Sequence, residues 1–378
     1  MRTLLQFSLA ISLSGSLFAQ FPGLTLPPSG NNQKASVIQF IGPLKVEIDY
    51  SSPAVHGPGG KDRRGQIWGK LVPYGMTDLG FQGGKPSPWR GGANENTVFA
   101  ISDPVTIEGQ PLAAGRYGLH LVAGADEWTV IFSKNSSAWG SFFYDESQDA
   151  LRVKVKPSKH AYREWLTYEF TARRPAEATA ELQWEEVAVP INIKVDNVNE
   201  IYITRLRQEL TGGAGFNPQA YDAAAQFCVQ AGTHLEDALN WADLAIKLPF
   251  VGQTNFDTLG TKAQVLSKMG RESDAKEIMQ TALRDPATNR FQIHQYGRQL
   301  LAQKKTQEAL EVFKLNAERN GDAWPVNVGL ARGYMAAGDY KKAAEYAQKA
   351  AAQAPDNQNR QNLEAMAKTL AEGKPYDN

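Results

Sequence analysis

Four alanines set the architecture of the second half of this chain: Ala238, Ala275, Ala309 and Ala343 lie 37, 34 and 34 residues apart. A second column, Ala242, Met279, Phe313 and Ala347, follows each of them by four residues, and a third, Val229, Leu266, Leu300 and Tyr334, precedes each by nine. Residues four apart share one face of a helix. Columns repeating at about 34 residues therefore mean that the same helix face is rebuilt in every unit. Small residues at a fixed place let two helices approach closely, and the larger ones beside them fill the remaining space. Residues 218–356 are thus expected to form stacked helix pairs, with 357–378 as a capping helix and tail. Thr233 with Glu236 has capping-box spacing, and Pro325 suits a helix's first turn.

The first half obeys a different period. Fourteen of the twenty prolines and six of the eight tryptophans precede residue 200. Between 36 and 196 apolar residues recur at every second position, as in Val153/Val155, Leu166/Tyr168/Phe170 and Val187/Val189/Ile191/Ile193. Turn residues such as Glu108-Gly109 and the 124–127 loop separate these runs, and no helical pattern intervenes. An antiparallel sandwich or barrel is predicted. Residues 197–217, a helical pattern ending in Gly212-Gly213-Ala214-Gly215, connect the two parts.

The first nineteen residues, MRTLLQFSLAISLSGSLFA, have the early charge, short apolar run and small-residue end of a secretory signal peptide. Cleavage after Ala19 and a periplasmic or secreted protein are expected. Residues 20–35, rich in Pro and Gly, are expected to be a linker. No later apolar run reaches membrane length, so an integral membrane protein is not expected. Forty basic residues balance forty acidic ones, which gives no electrostatic footprint for nucleic acid. The lone Cys228 sits in an Ala-rich helical pattern and is expected to be a buried structural thiol.

The last helical unit, WPVNVGLARGYMAAGDYKKAAEYAQKAAAQAP, resembles the tetratricopeptide repeat through Leu330, Ala331, Tyr334, Ala343, Ala347, Ala350 and Pro355. Earlier units depart from it at Gln226 and Lys262, where apolar or small residues are preferred. In the first half, the LVPYG (71–75), WRGGANE (89–95) and WTVIF (128–132) stretches resemble a bacterial secreted family of unknown function, numbered 2911. That resemblance implies a β-rich exported domain and supplies no reaction. The chain carries a longer insert, TDLGFQGGKPSP (77–88), before Trp89.

Two sets of residues stand out chemically. Trp89, Arg90, Asn94 and Glu95 could form a small polar site: Arg90 as a forked donor for a carboxylate or phosphate, Asn94 as donor and acceptor, Trp89 as a wall, and Glu95 as a general base if its pKa were raised. Alternatively Arg90 and Glu95 pair with each other or with backbone while the glycines shape a tight loop. In the helical half, His294 and Arg298 share a face, Arg332 follows Arg298 by 34 residues, and Gln264 precedes it by 34. Such a groove would suit an acidic or C-terminal peptide. Histidines at 56, 120 and 160 lack metal-ligand spacing; no metal or cofactor is expected. GKDRRGQ (60–66) has Gln66 where a phosphate loop needs lysine, and DESQD (145–149) lacks the glycine of a calcium loop. Arg152, Lys154 and Lys156 suggest a solvated edge strand. The leading expectation is a binding or scaffold protein whose repeats dock a protein or peptide. The alternatives are a hydrolase using Glu95 or a module in the first half that binds carbohydrate through aromatics.

Overall fold

The computed structural model describes residues 32–376. The expected signal peptide and the linker through residue 31 lie outside them. The chain divides between Tyr202 and Ile203 into two compact units.

The first unit is all-β and antiparallel. Its six-stranded sheet runs β1 (Gln33–Ile41), β2 (Leu44–Ser52), β5 (Thr97–Ile101), β8 (Gly115–Val122), β9 (Trp128–Ser133) and β10 (Asp149–Val155) in spatial order. The four-stranded sheet runs β11 (Ser158–Arg174), β12 (Glu177–Lys194), β6 (Val105–Ile107) and β7 (Gln110–Leu112). Alternation explains the layering: Leu44, Val46, Ile48 and Tyr50 of β2 are buried, while Lys45, Glu47 and Asp49 between them are not. The inward faces of the two sheets share one core, with Phe99, Leu119 and Phe132 from one and Leu166, Phe170, Trp184 and Ile191 from the other. Trp68 sits among Trp128, Trp184 and Trp89 at ring separations of 5.0, 5.6 and 5.8 Å.

Four details refine the expectations. Strand β1 begins at Gln33, inside the segment expected to be linker through residue 35. Its polar residues take regular partners on β2, with Lys34 opposite Ser51 and the Ser36 hydroxyl 2.7 Å from Asp49 Oδ1. Glu108 and Gly109, both at positive φ, turn β6 into β7, and this hairpin joins the opposite sheet through Ile107 and Ile193. The insert folds as a miniature hairpin, β3 (Thr77–Asp78) with β4 (Pro86–Ser87). Strand β10 is an edge strand, where Arg152 pairs with Asp149 and Glu146, and Lys154 with Glu127.

After α1 (Val198–Glu209), the second unit stacks α2 (Pro218–Ala231), α3 (Leu235–Lys247), α4 (Phe256–Lys268), α5 (Glu272–Arg284), α6 (Arg290–Ala302), α7 (Thr306–Asn320), α8 (Trp324–Ala336), α9 (Tyr340–Ala352) and α10 (Asn357–Ala371). All four alanines of the first column are buried, as are all four residues of the second. Gln226 and Lys262 are tolerated because each has a partner: Gln226 Nε2 donates to Asp222 and Thr261, and Lys262 Nζ lies 2.8 Å from Asp243. Pro325 takes its first-turn position, but Thr233 and Glu236 form no capping box. His234, at φ 50°, occupies the N-cap position of α3 instead, so the helix starts one residue too late for that pairing. Capping boxes occur at Asn255/Thr258 and Asn289/Gln292. No described helix is long and apolar enough to cross a membrane.

Candidate functional sites

In the β unit, a cavity of about 570 Å³ opens between segments far apart in sequence. Residues 53–55 pair with the edge of β11, through Val55 N–H to the Glu164 carbonyl and Leu166 N–H to the Pro53 carbonyl, which brings Trp165 to the rim. Arg63 fixes this rim by donating to the carbonyls of Ala54 and Val55. Across the cavity, Trp89 is tied to β8 by reciprocal backbone hydrogen bonds with Leu121 of 2.8 and 2.7 Å. Gly91 at φ 65° lies against Leu121 and the Tyr168 hydroxyl, which donates to its carbonyl; a side chain would not fit there.

Trp89, Arg90 and Asn94 therefore line one cavity, but Glu95 does not. Its carboxylate meets Lys34 Nζ at 3.0 Å and the Ser51 hydroxyl at 3.4 Å. Burial alone would raise its pKa; a backbone hydrogen bond, Lys34 and Ser51 outweigh burial and hold it below the ordinary value. The raised pKa on which a general-base role was conditioned is therefore not found at Glu95. Arg90 does not pair with Glu95 either. Its Nη1 donates to the Asn94 carbonyl at 2.6 Å, and its guanidinium carbon lies 4.7 Å from the centre of the Phe142 ring. Burial lowers its pKa, and it makes no ion pair among the described residues.

Sequence reasoning named His120 but did not bring it together with Ser141, Ser87 and Trp184. His120 Nδ1 lies 2.8 Å from the hydroxyl of Ser141, which lines the cavity. Burial, with the Arg90 charge adding, lowers the His120 pKa to about 4, so the imidazole is neutral. Among the described residues no carboxylate hydrogen-bonds to it, so the pair lacks the acid that would orient a catalytic histidine. Ser87 Oγ and Trp184 Nε1, on two further lining residues, are buried without hydrogen-bond partners. These positions carry no motif; they come together only through the pairing of the strands and the fold of the insert.

In the helical unit, His294 and Arg298 lie on α6 and Arg332 on α8, with Gln264 at the matching place on α4. Arg298 and Gln264 are exposed, whereas His294 and Arg332 are half-buried. Burial, then the Arg332 and Arg298 charges, lower the His294 pKa to about 4. Burial and Arg298 likewise lower that of Arg332. Neither arginine makes an ion pair among the described residues, and His294 Nδ1 and Arg332 Nε are buried without hydrogen-bond partners. Elsewhere, Cys228 is buried and its thiol pushed up to about 11 by burial. His56 is occupied by Glu164 at 2.9 Å, and His160 by the Ala161 carbonyl. Among the described residues no three His, Cys, Asp or Glu side chains group to hold a metal ion.

These features define an all-β sandwich followed by a helical solenoid of tetratricopeptide type. Residues 32–193 match the family described as protein of unknown function (DUF2911), and residues 300–367 match the tetratricopeptide repeat. No curated protein matches the chain. Among solved structures, one titled "MamA AMB-1" is 15% identical and covers 41% of this chain and 83% of that chain, with a TM-score of 0.28. At that score the likeness carries no argument.

Proposed function

We propose that the protein is an exported binding scaffold whose helical unit docks an acidic segment of a protein or peptide on the face formed by Gln264, His294, Arg298 and Arg332. One observation carries this reading: two arginines and a histidine stand together on neighbouring helices with no acidic group among their interactions. Arg298 is exposed and Arg332 half-buried, and neither has a carboxylate partner among the described residues, so their charge favours a partner supplied from outside. An acidic side chain or terminal carboxylate offers both the charge and the acceptors. Stacked repeats present a long surface and no chemistry of their own, which suits docking rather than turnover. The export address rests on residues 1–19.

The test is fluorescence anisotropy of the full chain with a labelled Glu-rich decapeptide carrying a free C-terminus, beside its Lys-rich counterpart. The acidic peptide should bind, more weakly as salt rises, and Arg298→Glu with Arg332→Glu should weaken it at least roughly tenfold. Equal affinity in that double variant would refute the docking face.

A further inference from the structure

The β unit carries a cavity of its own, separate from the helical face. That cavity holds a half-buried guanidinium whose own surroundings leave the charge uncompensated: Arg90 meets one backbone carbonyl, that of Asn94, and the face of Phe142. A buried cation without a counter-charge is costly unless something completes it. Two residues of the same lining carry buried polar atoms without partners. Ser87 is 3% and Trp184 1% exposed, yet Ser87 Oγ and Trp184 Nε1 have no hydrogen-bond partner. Arg90 thus borders a single space of about 570 Å³, a size typical of small-molecule sites, whose lining also includes Ser87 and Trp184. Apolar walls surround them: Trp89, Trp165, Leu79 and Pro88.

We propose that this cavity binds a small organic monocarboxylate with an aromatic or apolar body, its carboxylate on Arg90 and its body against the tryptophans. The choice of a carboxylate follows from what the lining leaves unengaged. Arg63 is held at the rim by the Ala54 and Val55 carbonyls, His56 is matched by Glu164, and His120 behind Ser141 is neutral, which leaves Arg90 as the guanidinium with donors to spare. A carboxylate accepts both prongs of a guanidinium and still has lone pairs for neutral donors.

Calorimetric titration of the full chain with benzoate, phenylacetate and indole-3-acetate, each beside its neutral primary amide, tests this assignment, with inorganic phosphate as a further arm. At least one carboxylate should bind saturably and at least roughly tenfold more tightly than its amide, the difference expected of a charge-assisted pair. Arg90→Gln should remove that preference, and Arg90→Lys, which keeps the charge but loses the fork, should retain part of it. Should Arg90→Gln fail to fold, the comparison of carboxylate with amide on the unmodified chain still decides. The assignment is overturned if no carboxylate binds by 10 mM, if the amides bind equally well, if a folded Arg90→Gln binds unchanged, or if phosphate binds and the carboxylates do not.

Discussion

A carboxylate 3.0 Å from a lysine ammonium and in reach of a serine hydroxyl, as Glu95 is, stays ionised and engaged across the neutral range. Because the Lys34–Glu95 pair is partly exposed, it contributes little to folding. Glu95→Gln is expected to cost no more than about 1 kcal/mol in urea denaturation and to leave the cavity unaltered; a loss above about 3 kcal/mol would show that the carboxylate is a structural anchor. At this scale the sequence is legible in residue type and not in partner. Arg90, Asn94 and Trp89 could be picked out as chemically able, but Lys34, which disarms Glu95, lies 61 positions away in sequence. Gln226 and Lys262 illustrate the converse. They break the apolar pattern without cost because Thr261, Asp222 and Asp243 receive them.

Among elements, the repeat columns were the most readable signal, because small and large residues at fixed intervals report directly on helix crossings. Phe313 shows the mechanism. It is fully buried on α7, and a Cβ added at Gly297 of α6, or at Gly329 or Gly333 of α8, would overlap its ring. Gly297→Ala should therefore destabilise the helical unit by about 1–3 kcal/mol, reversing the roughly 1 kcal/mol that alanine gains in an open helix. Thermal melts followed by circular dichroism would show this, and Phe313→Leu should relieve most of the added cost; a stabilised Gly297→Ala would contradict the packing. The β elements were legible as strands but not as sheets. Nothing in the alternation of 105–112 says that this short hairpin pairs with Ile193 and not with its sequence neighbours in the larger sheet. The cavity was invisible for the same reason, since residues near 54, 63, 89, 141, 165 and 184 meet only once strand order is fixed.

For the whole molecule, His120 in one unit and His294 in the other make stability depend on pH in the same direction. Each has its pKa lowered by burial from 6.5 to about 4, so between these values the unfolded chain binds more protons than the native one. Stability from this source is complete above pH 6.5 and declines as pH falls toward 4, by up to about 3 kcal/mol for each histidine. Melting the full chain from pH 8 to pH 4 should show the decline, and His294→Gln should remove it from the helical transition alone; an unchanged slope in that variant would assign the effect elsewhere. The two units differ in how their interiors are organised. One shared core fills the sandwich, whereas the solenoid is a string of small clusters, one around Trp241, the next around Met279, then Phe313, then Met366. A lineage could therefore lengthen or shorten the helical part by whole 34-residue modules, keeping α10 as the end piece, while the sandwich could neither gain nor lose a central strand without rebuilding its interior.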